Sequence, residues 1–136
     1  MTLGNIIEFV LAHHNELYVG WPTEQIKLSV FQHARAGGCH FHVDSREQID
    51  GLILYRLDPQ RHTVWIQEAY ASKPGVLGQL LESGCRHENL PLDGSWKLTA
   101  VRRKYNQRPL SFPITTKTLR RLYHGWILHS TDTASR

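Results

Sequence analysis

A chain of 136 residues with 40% hydrophobic and 21% charged residues has the size and composition of one compact domain, able to close a core without disulfides or a structural metal; wholesale disorder is excluded. No apolar run is long enough to span a bilayer, and Met1–Gly20 lacks the basic start, hydrophobic stretch and small-residue cleavage site of an export signal, so a cytoplasmic protein without membrane contact is expected. The net charge of +4 is unevenly spread, since Met1–Ser95 carries seven Lys/Arg against eleven Asp/Glu and Trp96–Arg136 carries nine against one. Such a concentrated positive field attracts phosphates or acidic proteins.

Leu3, Ile6, Ile7, Val10 and Leu11 follow the spacing of one helical face and predict an opening amphipathic helix, with Glu8, His13 and His14 on its polar side. Pro22 suits the first turn of a second helix, in which Ile26, Val30 and Ala34 share a face and Gly37 supplies the stop. Cys39, Phe41 and Val43 alternate with His40, His42 and Asp44, the period of a strand with one buried face. The apolar run Leu52–Leu57 ends at the turn signal Asp58-Pro59 and precedes the strand-like Thr63–Ala71, which together predict an antiparallel hairpin.

After Ser72 the period changes. Val76, Leu77, Leu80 and Leu81 fit a helix face, with Pro74 near its start and Gly84 near its end. The polar segment Arg86–Gly94 leads to a strand over Trp96–Val101, followed by the basic stretch. Thr116 is expected to cap a short helix containing Leu119, Leu122 and Tyr123, ended by Gly125; Trp126–Leu128 forms a last strand and His129–Arg136 a loose tail. This order predicts an α/β (α+β) domain over residues 1–128 with a tail over 129–136, built on a mixed, mainly antiparallel sheet covered by helices.

The segment Trp96-Lys-Leu-Thr-Ala-Val-Arg-Arg-Lys-Tyr-Asn106 resembles the fifth strand of the GNAT acyltransferase superfamily, and Leu122-Tyr-His-Gly-Trp126 is similar to the Tyr and Gly-aromatic pattern that follows it. The element order also resembles that family's from about Leu3 to Leu128. The resemblance implies a twisted sheet and an acyl-CoA or acetyl-CoA cofactor whose pantetheine arm pairs with the strand around Ala69, Tyr70 and Ala71. The pyrophosphate would sit at the next helix N-terminus, on Gly75, Val76 and Gly78, where orphan amides and the helix dipole attract phosphate. Lys73 would add a point charge, and Asn106 would complete the cofactor contacts. Glu68 would be the base, because an ammonium must lose a proton before it attacks; Tyr123, alternatively Tyr105, would protonate the departing thiolate.

The family's loop reads Arg/Gln-x-x-Gly-x-Gly/Ala, whereas this chain has Ser72-Lys-Pro-Gly75-Val-Leu77, matches only at Gly75, and loses an amide donor at Pro74. Trp21-Pro22 also resembles a dipeptide of the toxin-activating lysine acyltransferases, with Tyr18 where that branch has a His and His14 further back. GNAT-like domains without catalysis occur as viral and regulatory components. A binding or structural module of that kind, without a cofactor, is therefore the leading expectation, and an acyl-CoA-dependent N-acyltransferase acting on an amine is the alternative.

The basic set Lys97, Arg102, Arg103, Lys104, Arg108, Lys117, Arg120 and Arg121, interleaved with Tyr105 and Phe112, combines cations for phosphates with rings for base stacking. The expected partner is another protein or a second copy of this chain, with single-stranded nucleic acid as a further candidate. His40 and His42, with His33 or His13, are too few and too loosely spaced to define a metal site. Cys39 and Cys85 form no CxxC pair and read as packed, reduced thiols.

Overall fold

The computed structural model describes residues 2–13, 20–100 and 110–122. Its first helix, α1 (Leu3–His13), starts at a reciprocal cap: Thr2 Oγ1 accepts from the Asn5 amide at 3.2 Å, and Asn5 Oδ1 accepts from the Thr2 amide at 2.9 Å. Both amides would otherwise lack a helical partner. Pro22 precedes α2 (Thr23–Arg35), its carbonyl accepting the Ile26 amide at 3.1 Å. Proline suits this place because it has no amide hydrogen to leave unpaired.

Strands β1 (Cys39–Val43), β2 (Ile49–Asp58), β3 (Thr63–Ala71), β4 (Asp93–Ala100) and β5 (Leu110–Thr115) form one sheet in sequence order. All neighbours are antiparallel except β3 and β4, which are joined by the crossover helix α3 (Val76–His87). Helix α4 (Thr116–Leu122) follows β5. The result is an α+β sheet flanked by helices, as the hydrophobic periods predict.

Strand β2 explains the layering. Leu52 and Leu54 pack with Ile6, Val10, Ile26 and Val30 on the face of α1 and α2. Ile53 and Tyr55 pack on the other face with Leu77, Leu80, Leu81 and Cys85 of α3, together with Val64, Ile66, Leu98 and Ile114. A strand buried on both faces reads as a continuous apolar run rather than an alternation, as Leu52–Tyr55 does before the exposed Arg56. Each fully buried Leu or Ile contributes roughly 1.5–3 kcal/mol.

Three expectations need correction. Strand β5 is not among the predicted elements: it carries Pro113 and directly follows the basic stretch. It nevertheless pairs with β4, Leu98 opposite Phe112, and buries Ile114 completely. Proline is tolerated there because β5 ends the order of the described sheet. The cap of α4 is Thr115, not Thr116, since Thr115 Oγ1 accepts the Thr118 amide at 3.0 Å. Gly84 lies near the end of α3, as expected, and the helix continues to His87; a Cβ there would lie 3.3 Å from the Tyr55 ring, so the glycine permits close packing. Phe41 and Val43 alternate as expected but are 39% and 37% exposed, because their face opens into a groove rather than the core. The proposed stop at Gly125 and strand at Trp126–Leu128 lie outside the described residues.

Gly38 makes the tightest backbone approach. A Cβ at this position would lie 2.0 Å from the Tyr55 carbonyl oxygen, while the Gly38 carbonyl accepts the Tyr55 amide at 2.8 Å. The obstructing atom is backbone and cannot rotate away. Gly38→Ala should therefore lower stability by about 1–3 kcal/mol in urea titration; an unchanged midpoint would contradict this packing.

Candidate functional site

The strand expected to carry chemistry contains a bulge. Leu54 lies opposite Glu68 and Tyr55 opposite Ile66, so Gln67 is the extra residue on β3. A single inserted residue reverses which side chains face which layer. Glu68 and Tyr70 thereby share the face of Leu54 and Leu52, beneath α1 and α2, whereas Ala69 and Ala71 join the α3 core. Glu68 is only 2% exposed, and its Oε1 accepts the Ala69 amide at 3.1 Å. Beside the bulge, β3 pairs in parallel with β4 over Thr63–Ile66 opposite Lys97–Ala100.

The loop expected to hold pyrophosphate is tied down from below. Gly75, at φ 90°, is the N-cap of α3, a left-handed conformation that glycine adopts without steric cost. Val76, Leu77 and Gly78 of the first turn are buried. Ser72 donates twice to the Asp50 carbonyl, from its amide at 2.9 Å and its hydroxyl at 3.2 Å. Lys73 Nζ lies 3.9 Å from Asp50 Oδ2, and His42 Nδ1 lies 2.6 Å from Asp50 Oδ1. Thus the loop's cation already faces a buried carboxylate. Asp50 was missed in the sequence because one Asp before an apolar run reads as a strand boundary; here it sits at the irregularity where β1–β2 pairing skips from Gly51 to Ile49.

Between α1 and the β1–β2 hairpin is a cavity of about 630 Å³. Phe9 and His13 stack with ring centres 4.3 Å apart, and Tyr70 meets both at 5.2 Å, edge-on to Phe9. The sequence contained a signal for this wall: Asn5, Phe9 and His13 recur every fourth residue beside the Ile6/Val10 stripe. Tyr70 and Glu68 therefore belong to one region with α1, while Lys73 and Gly75 belong to the Asp50 region. Asn106, Tyr105, Tyr123, Arg102, Arg103, Lys104 and Arg108 lie outside the described residues. Lys117, Arg120 and Arg121 lie on α4 and are exposed.

The histidines have separate partners. His33 Nδ1 donates to the Ser29 carbonyl at 2.7 Å, and His40 Nε2 lies 3.0 Å from the Tyr55 hydroxyl, which donates to Glu88 Oε2 at 2.8 Å. Burial, then the hydrogen bond and charge of Glu88, raise Tyr55 above the ordinary phenol range and keep it a donor. Among the described residues, no group of three or more His, Cys, Asp or Glu is arranged to hold a metal. Burial pushes both Cys39 and Cys85 up to about 11, so they stay thiols at neutral pH. Comparison of the chain with known protein families, curated proteins and solved structures gives no match.

Burial and then neighbouring His87 hold His40 below the ordinary histidine value, with Glu88 opposing them. The folded protein thus resists a proton that the unfolded chain accepts below about pH 6.5. The stabilisation is complete above that pH and is lost on acidification. Urea midpoints measured from about pH 7.5 down to 5 should fall, and His40→Gln should fall less steeply than the parent. Equal slopes would mean that His40 does not couple to folding.

Proposed function

We infer that this domain is a non-catalytic, GNAT-like binding module that engages a phosphate-bearing partner through cations of its C-terminal third. The observation that carries the reading is the outer face of α4. Lys117, Arg120 and Arg121 have the i, i+3, i+4 spacing of one helical face and are exposed, while Leu119 of the same helix is 2% exposed and packs inward. The helix itself contains no carboxylate. Lys97 is exposed on β4, and Lys97, Lys117 and Arg120 enter none of the described ion pairs. Arg102, Arg103, Lys104 and Arg108 add to the same charge in sequence. Neutralised phosphates release condensed counterions, so cations held on a folded surface convert directly into salt-dependent affinity.

The test uses the full chain and a labelled single-stranded oligonucleotide followed by fluorescence anisotropy at several salt concentrations. Lys117→Gln, Arg120→Gln and Arg121→Gln combined remove three charges from exposed positions that keep long polar side chains. The slope of log K against log salt should fall by about 2, at roughly 0.7 per neutralised phosphate. A folded triple variant with unchanged affinity and slope would remove α4 from the recognition surface.

A second reading, acyl transfer from acyl-CoA to an amine, is favoured by Glu68. It is a buried carboxylate at a bulge in β3, on the face of the Tyr70-lined cavity, where a general base for an incoming ammonium is useful. Glu68 would be the base and Tyr123 the acid, with pantetheine along Ala69–Ala71 and pyrophosphate at Gly75–Gly78. The tethered loop weighs against it: Lys73 faces Asp50, and Pro74 offers no amide. Calorimetry with acetyl-CoA and longer acyl-CoAs discriminates the readings. The module reading expects no binding at millimolar cofactor, and saturable binding lost in Gly75→Pro would favour the enzyme.

A further inference from the structure

The cavity beside α1 has a chemistry opposite to that of the basic C-terminal third. Its walls are aromatic: Phe9 and His13 from α1, Tyr70 from β3 and Phe41 from β1. Phe41, Leu52 and Tyr70 lie opposite one another across β1, β2 and β3, so Phe41 and Tyr70 flank a buried Leu52 on one sheet face. Among the described lining residues the formal charges other than histidine are carboxylates, Glu8 on α1 and Glu47 in the β1–β2 turn. Both are exposed, and neither enters a described ion pair.

The turn that carries Glu47 is fixed. Asp44 Oδ1 accepts the Arg46 amide at 2.8 Å and the Gln48 amide at 3.0 Å, and the Asp44 carbonyl accepts the Glu47 amide at 3.0 Å. Glu47 itself has φ 61°, which these bonds impose on a side-chain-bearing residue. His13 adds an acceptor. Its Nδ1 lies 3.1 Å from the Phe9 carbonyl, which can only accept, so Nδ1 carries the proton and Nε2 of the neutral ring keeps its lone pair.

We propose that this cavity is a binding site for an organic cation, an ammonium borne on an apolar body. Aromatic faces attract a cation through their quadrupoles while accommodating its carbon skeleton. The rim carboxylates of Glu8 and Glu47 supply the opposite charge, and the Nε2 lone pair accepts a hydrogen bond from an ammonium that still carries protons. A neutral ligand of the same shape would forgo the attraction of the ring faces and rim carboxylates for positive charge. An anionic one would meet both carboxylates. The site does not depend on the C-terminal cations or on acyl transfer, so it stands or falls separately from them.

The test is an NMR titration of the full chain with benzyltrimethylammonium and with neutral benzyl alcohol. The cation should bind roughly tenfold more tightly and shift the signals of Phe9, His13 and Tyr70. The double variant Glu8→Gln, Glu47→Gln changes two exposed positions; it should weaken cation binding several-fold, leave benzyl alcohol unaffected and leave oligonucleotide binding no weaker. Tyr70→Leu should weaken both ligands. Equal affinity for cation and alcohol, shifts confined to other residues, or a folded double variant with undiminished cation affinity would each overturn the proposal.

Discussion

The structure depends on one strand being buried from both sides. Leu52 and Leu54 of β2 close the core under α1 and α2, and Ile53 and Tyr55 close the core under α3. Strand β2 thus contributes side chains to both cores. The same constraint sets the backbone details around it. Gly38 has no side chain because the Tyr55 carbonyl occupies that space, and Gly51 has none because Val76 Cγ1 would lie 2.4 Å from its Cβ. The double burial also explains the bulge at Gln67. With β2 committed on both faces, inserting one residue in β3 is the way to turn Glu68 and Tyr70 towards α1 while Ile66 stays with α3.

From this frame follows a separation of charge. The aromatic cavity with its carboxylates opens between α1 and the β1–β2 turn, towards the β1 edge of the sheet, and α4 with its cations follows β5 at the other end of the strand order. The sequence carries the same polarity, acidic before Ser95 and basic after it. A single sheet therefore carries two regions of opposite charge. Asp50 weakens any phosphate site between them, because its buried carboxylate faces Lys73 and His42 while its backbone carbonyl holds Ser72.

Much of the fold was legible because its elements obey simple periods. The Leu3/Ile6/Val10 stripe, the double-sided run of β2 and the Val76/Leu77/Leu80/Leu81 face each specify a layer. Strand β5 was not legible, since Pro113 interrupts its six residues and proline is disfavoured inside a strand; pairing with β4 at the end of the described strand order overrides that local preference. The candidate sites were legible only as residue types. Glu68 and Tyr70 could be singled out by resemblance, but the bulge that sends both to the α1 face is a register event with no signature in the letters. Glu8 and Glu47 belong to elements far apart in sequence, and only the hairpin turn brings Glu47 to the mouth of the cavity.

The central claim, that recognition of a phosphate-bearing partner belongs to the C-terminal third and not to the α1 cavity or the α3 loop, is tested most directly by mapping amide shifts of the intact chain on adding a single-stranded oligonucleotide. The account predicts shifts clustered at Lys97 and through Lys117–Leu122, with Phe9, Glu47, Tyr70 and Gly75–Gly78 unmoved. Shifts centred on Ser72–Gly78, or on the rings around Tyr70, would contradict it.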